Sequence, residues 1–397
     1  MRNKNILIAQ GGGPTMVINQ SLIGLLINAK QSGFNVHGSL NGVRGIVNNN
    51  FVKLNKISGE KSELIANTPS SILGSTRDKP DTKYCEEILK VLKQKKIDSF
   101  FYIGGNDSSD SLRIISEKAI RDNYELQCVH IPKTIDNDLV CNDHTPGFGS
   151  AAKYVAMAFS GINLDVRSLP GVYIGVVMGR HAGFLAASSA LLKKKEDDGP
   201  HLIYTPEIAF NIKKFFKDIK NIYNRYGRCI IAVSEGIQDK KKKLIATYAS
   251  DLSEKDSHGN IQLSGTGSLG DYLVNQIKQN LKISRVRADT FGYMQRSFLG
   301  CSSEVDKKEA MLIGKKAFDY SLNSKKSFSV SIIPRNKFSL PYSVKYGTNA
   351  LSDIAAKTKY LDKKFINKDK NFITQSFIKY AKPLIGNEIP RFVTSIK

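Results

Sequence analysis

The stretch YIGGNDSSD, residues 102–110, closes an apolar run and opens at once into two glycines. An apolar run that stops in such a turn and passes into a polar segment reads as strand, turn and helix. Two glycines let a backbone come close to a phosphate. Asn106 and Asp107 follow immediately, however, and a carboxylate repels phosphate. The same unit recurs on both sides. Residues 5–10 read as a strand before GGGPT (11–15), where Pro14 is placed to enter a helix with Ile18, Leu22, Leu25 and Ala29 on one face. Residues 98–103 form a second strand, with a helix near 111–118. Residues 126–131 form a third, ending in PKTIDNDL (132–139). Strands alternating with helical patterns predict an α/β fold with mostly parallel sheets. In an open sheet of that kind the loops after the strands gather at the carboxyl edge, where ligands bind.

A second series starts near Phe148. A strand at 172–178 leads into GRHAGFLAASSALL, residues 201–204 and 229–234 read as strands, and 268–282 and 303–322 as helices. From about Lys337 the chain is lysine-rich and weakly periodic, as expected of a cap or an oligomer contact.

The chain has 397 residues, more than the ~250–300 at which a single core stops growing, so two domains are expected. The net charge of +23 raises a nucleic-acid partner as a possibility. Against it, the lysines are spread along the chain, DKKKK (239–243) reads as a solvated loop, and no basic stripe alternates with aromatics. No nucleic-acid partner is therefore expected, although the charge would help gather small anions. No apolar run approaches the ~18 residues that suggest a membrane span, and the apolar piece in MRNKNILIAQGGG is too short for a signal segment. No membrane partner and a cytoplasmic location are expected. Five scattered cysteines without CxxC, and six histidines without HxxxH or HExxH, point to reduced thiols and away from a zinc site.

Five constellations can carry chemistry. GGGPT offers backbone N–H groups at a helix start, which favour an anion, or is a simple tight turn. PKTIDND puts Lys133, Asp136 and Asp138 in one short loop after a buried strand. Lysine neutralises phosphate, and a carboxylate takes a proton from a hydroxyl or holds Mg²⁺. MGRHAG ends a strand with Arg180, suited to bidentate phosphate recognition. Glu235 in SEG is placed to accept sugar hydroxyls, or is an ordinary loop glutamate. RVRADTFGYMQRS sets Arg287, Tyr293 and Arg296 as a clamp for a phosphorylated sugar, or as one face of a basic strand or helix.

Taken in order, GGGPTMVINQSL, LGSTRDKP, GGNDS, PKTIDNDL, HTPGFGSAAKY, MGRHAGFLAA, SEG and GYMQRS resemble the phosphofructokinase family from about Asn5 to at least Leu322. The resemblance implies two Rossmann-like three-layer domains. Residues 1–147 with about 295–345 would form a phosphoryl-donor domain, 148–294 a sugar-phosphate domain, and 346–397 a basic C-terminal extension. Within the family the chain is similar to the pyrophosphate-dependent branch. The ATP users have glycine where Asp107 and Lys133 stand here. A carboxylate at 107 would repel the α-phosphate of ATP, and Lys133 would serve the terminal group of pyrophosphate.

The resemblance also implies roles. Asp136 is the base for the C1 hydroxyl of fructose 6-phosphate, supported by Asp138. Gly12, Arg77, Gly105, Asp107 and Lys133 bind the donor, and Asn106 and Asp107 hold Mg²⁺. Thr134, Met178, Gly179, Arg180, Glu235, Arg287, Tyr293 and Arg296 bind the sugar phosphate. Two positions depart from the family pattern. Its usual metal-holding acid is Asn106 here. Its arginine nine residues before that of MGR is Gly171, with Arg167 the nearest substitute. The expected activity is Mg²⁺-dependent, reversible phosphoryl transfer from pyrophosphate to fructose 6-phosphate, in a homodimer or homotetramer. The alternatives are ATP as donor, or another sugar phosphate such as sedoheptulose 7-phosphate as acceptor. A non-catalytic subunit that merely keeps the fold should have lost the base or the lysine, and both are present.

Overall fold

The computed structural model describes residues 4–249, 267–338 and 341–394. Its contacts fall into two compact units, one of residues 1–150 and 296–359, the other of 151–295 and 360–397. The strands in chain order are β1 (Asn5–Gln10), β2 (Asn35–Ser39), β3 (Phe51–Lys53), β4 (Ser99–Gly104), β5 (Gln127–Pro132), β6 (Val172–Val177), β7 (Leu202–Tyr204), β8 (Cys229–Ser234), β9 (Val286–Thr290), β10 (Phe328–Ile332) and β11 (Tyr346–Asn349).

The first unit holds a sheet of order β11-β10-β5-β4-β1-β2-β3. Its centre, β10-β5-β4-β1-β2, is parallel, and the two edges β11 and β3 pair antiparallel. Strands buried on both faces read as continuous apolar runs, because successive side chains enter opposite cores. In β1, Ile6 and Ile8 join Phe101, Ile103, Val129 and Val330 in one core. Leu7 and Ala9 join Phe100, Tyr102 and Cys128 in the other. On the first of these faces helix Ile18–Gln31 meets helix Glu304–Leu322 at very close range. A Cβ on Gly24 would lie 2.1 Å from the Met311 carbonyl oxygen, and one on Gly314 the same distance from that of Ser21. The two glycines thus permit the crossing that ties the chain after residue 296 back onto the first unit.

The second unit holds the parallel sheet β7-β8-β6-β9. Val172, Ile174 and Val176 pack there with Ile231, Val233, Leu273 and Ile277. The segment 346–397, read as one extension, is divided. Residues 346–359 supply β11 and the short helix Leu351–Ile354 to the first unit, and 360–397 belong to the second. Among the described residues, no helix is long and apolar enough to cross a membrane.

Candidate active site

In the first unit β5, β4, β1 and β2 are successive neighbours. The chain runs outward from β1 to β2 and then returns to lay β4 on the other side, so a switch point lies between β1 and β4. The loops after β1, β4 and β5 meet at that edge and are joined by backbone bonds. Gly11 N–H donates to Ile103 O at 2.9 Å, Gly12 N–H to Thr76 O at 3.0 Å, and Lys133 N–H to Gly104 O at 3.0 Å. Ser75 Oγ donates to Gly12 O at 2.6 Å, which brings the segment bearing Arg77 against GGGPT.

Lys133 is 3% exposed. Its Nζ donates to Gly13 O at 2.6 Å, and a Cβ on Gly12 would lie 3.4 Å from it. The Arg296 guanidinium lies on the same turn, with a Cβ on Gly13 falling 2.9 Å from its Cζ. Burial, then the charge of Arg296, lower the Lys133 pKa to about 7, Asp136 and Asp138 acting in the opposite sense and Arg77 adding to the fall. Cations and carboxylates therefore face one turn. Asp136 N–H donates to Thr134 Oγ1 at 3.1 Å, tightening the turn. Asn137, between the two carboxylates, has φ +58.

Gly105 precedes helix Asn106–Arg121, so Asn106 and Asp107 open that helix. The Asn106 side-chain carbonyl oxygen is buried and has no hydrogen-bond partner. The Asp107 carboxylate is exposed and pairs with Lys79 at 3.2 Å.

In the second unit, Met178, Gly179, Arg180 and Glu235 come together at the carboxyl ends of adjacent β6 and β8. Glu235 N–H donates to Val177 O at 2.9 Å and Ser234 Oγ to Gly179 O at 2.5 Å. Met178 N–H donates to Gln295 Oε1 at 3.3 Å. A Cβ on Gly236 would strike the Arg180 carbonyl oxygen at 1.9 Å, so the MGR and SEG turns are in direct contact. Arg287 is not brought to them. It sits near the start of edge strand β9, in register with Tyr173 at the start of β6. At ~3.3 Å per residue that is ~16 Å along the strand from Met178. Tyr293 is 48% exposed beyond the end of β9. Arg287 and Arg296, read together as one clamp, belong to different units.

A family model described as phosphofructokinase matches residues 5–321. The chain belongs to the phosphofructokinase family. A protein of Rhodospirillum rubrum named pyrophosphate–fructose 6-phosphate 1-phosphotransferase is 54% identical over 387 residues, covering 97% of this chain and 95% of its own length. One of the same name from Xanthomonas campestris is 36% identical, covering 98% and 93%. The crystal structure titled pyrophosphate-dependent phosphofructokinase from Marinobacter aquaeolei superposes with a TM-score of 0.85 at 32% identity, covering 98% of this chain and 94% of that one.

Phosphotransferases of this family are generally Mg²⁺-dependent, and the oxygens at the start of helix Asn106–Arg121 suit such an ion. Mg²⁺ is commonly bound through one or two protein oxygens, with substrate phosphates and water completing the shell. The unpartnered Asn106 oxygen and the neighbouring Asp107 carboxylate are such a pair, and among the described residues no group of three or more His, Cys, Asp or Glu could hold a metal alone. Arg167 is engaged elsewhere, its guanidinium donating to Asp197 at 2.8 Å and Asp198 at 2.9 Å. Sequence reading missed two lysines that touch the site residues. Lys79 lies inside the quoted motif LGSTRDKP and pairs with Asp107. Lys359 bonds to Asn137 and lies in a stretch without any motif.

Proposed function

We propose that this chain transfers a phosphoryl group from pyrophosphate to the C1 hydroxyl of fructose 6-phosphate, giving fructose 1,6-bisphosphate and phosphate. The observation that carries the proposal is the enclosed Lys133 ammonium on the Gly12–Gly13 turn, beside Asp136 and Arg296. When protonated it supplies a positive charge where pyrophosphate, lacking a nucleoside, needs an anchor. Lys133, Arg77, Arg296 and the backbone at Gly12 bind the donor and stabilise the charge that develops on the moving group.

Asp136 takes the proton from the C1 hydroxyl as that oxygen bonds to phosphorus and the bridging P–O bond of pyrophosphate breaks, the electrons leaving with phosphate. Asp138 stands beside the base and adds negative charge. Asn106 and Asp107 would hold Mg²⁺, which when bound neutralises charge on the donor oxygens. Met178, Gly179, Arg180, Glu235 and Tyr293, with Thr134, bind the sugar phosphate. A phosphoanhydride is exchanged for a phosphoester without nucleotide, so the reaction runs in both directions. A cytoplasmic location and a homodimer or homotetramer go with this activity.

A coupled assay of the purified chain with fructose 6-phosphate and each donor tests the proposal. Pyrophosphate is expected to give much the higher kcat/KM. A higher value with ATP overturns the donor assignment.

A further inference from the structure

Lys359 stands in the lysine-rich tail, and lysine side chains are ordinarily solvated. The residue as a whole is half-buried, and its ammonium is enclosed by protein. The three donors of an ammonium all have acceptors. Nζ donates to Asn137 Oδ1 at 3.0 Å, to Asn142 O at 2.9 Å and to Asp143 O at 3.0 Å. The main chain on either side is fastened to the same loop. Lys359 N–H donates to Asp138 O at 2.7 Å, and Thr358 bridges Leu139 in the antiparallel sense.

These contacts fall on the middle and the exit of the loop that carries the two carboxylates. Asn137 lies between Asp136 and Asp138 and holds the left-handed φ of +58. Asn142 and Asp143 lie where the loop leaves, and they are tied in turn to β10. Asp143 N–H donates to Ile332 O at 2.8 Å and Ile332 N–H to Asn142 Oδ1 at 3.2 Å. An enclosed ammonium is costly unless it is fully satisfied, and here burial lowers its pKa to about 8, with Asp143 and Asp138 opposing. A merely solubilising lysine would stand in water. We infer that Lys359 is a positioning residue for Asp136 and Asp138, its ammonium spanning the turn at Asn137 and the exit at Asn142–Asp143 so that the base is held in one place. Asp136 as the base rests on the proposed function above.

The test uses Lys359→Met, which keeps the length and removes the donors, and Asn137→Gly, which accepts the positive φ and removes the side-chain acceptor of Lys359. In Lys359→Met, kcat with pyrophosphate and fructose 6-phosphate should fall about 10- to 100-fold, the scale of a displaced catalytic group. KM for pyrophosphate should stay near that of the unaltered enzyme. In an Asp136→Asn background the same change should add little, because the group it acts through is gone. Asn137→Gly should reproduce the loss of kcat, and it carries the test if Lys359→Met does not fold. An unchanged kcat, or a loss undiminished in the Asp136→Asn background, overturns the inference. Amide hydrogen exchange across residues 133–143 reads the clamp without turnover. It should quicken in both variants, and unchanged exchange overturns the inference whatever the activity. If the unaltered chain turns over neither donor while exchange still responds, the functional assignment fails and the clamp is structural only.

Discussion

At Lys133 a single ammonium is enclosed and, in the proposed reaction, meets an anion, so its acidity should become visible in the kinetics. Burial and Arg296 bring its pKa to about 7 in the free enzyme. Below that value the amine is charged and pairs with the donor; above it the neutral amine does not. Since kcat/KM reports the free enzyme, kcat/KM for pyrophosphate should fall as pH rises through about 7, after allowance for the donor's own ionisation. Bound pyrophosphate favours the charged form, so the limb in kcat should lie higher. Lys133→Arg, whose guanidinium stays charged, should remove the limb, though it also loses rate because its fork does not match the Gly13 contact. An identical pH profile in that variant would show that another group titrates. Lys133, Asp136 and Asp138 were legible because one short loop carries them all. Lys79 and Lys359 were not, because their partners lie far along the chain, and a lone lysine in a basic sequence has no local signature.

Between elements, His144 joins three segments of the first unit. Its Nδ1 lies 2.8 Å from Asp143 and its Nε2 2.6 Å from Glu309 on helix Glu304–Leu322. Tyr342 donates to Glu309 at 2.5 Å, and Arg335 to Asp143 at 3.0 Å. Burial alone would lower the His144 pKa, but Glu309 and Asp143 outweigh it and raise the value to about 9. A histidine raised on folding contributes stability that is complete below its unfolded value near 6.5 and is lost as pH rises through about 9. Asp143 works in the other direction. His144 and Arg335 hold its pKa far below the usual range against the cost of burial, and that contribution is lost only in strong acid. The stability that His144 contributes should therefore decline between about pH 7 and 9.5, while Lys133 and Lys359, held below the ordinary lysine value, act in the opposite sense over that range. His144→Gln should be less stable at pH 7, by about 3 kcal/mol or more for a broken buried pair, and its deficit relative to the unaltered chain should narrow toward pH 9.5. A slope of unfolding temperature against pH parallel to that of the unaltered chain would show that His144 carries no charge. This brace was invisible in the sequence because it joins residues 143–144 to 309, 335 and 342. The helices it touches were readable from their apolar period. Strand β2 and the edge strands β3 and β11 were not, since such short elements owe their existence to the sheet beside them rather than to their own pattern.

For the whole molecule, eight ordered motifs made the two α/β units legible, but not which unit each arginine joins. Arg296 packs on the Gly13 turn of the first unit. Arg287 lies exposed near the start of β9, ~16 Å along the strand from Met178 at ~3.3 Å per residue, with Nη1 donating to the adjacent Val286 carbonyl at 3.1 Å. An arginine side chain does not bridge that distance, so if Arg287 binds a sugar phosphate it does so in the site of a second copy. Mixing separately inactive variants decides the matter. Asp136→Asn lacks the base and keeps Arg287; Arg287→Ala keeps the base. In a mixed oligomer the second variant's base meets the first variant's arginine, and activity should rise well above that of either variant alone. Denaturing and refolding the pair together ensures exchange of copies. If Arg287 served its own chain, every mixed site would still lack either a base or an arginine, and the mixture would do no better than its parts.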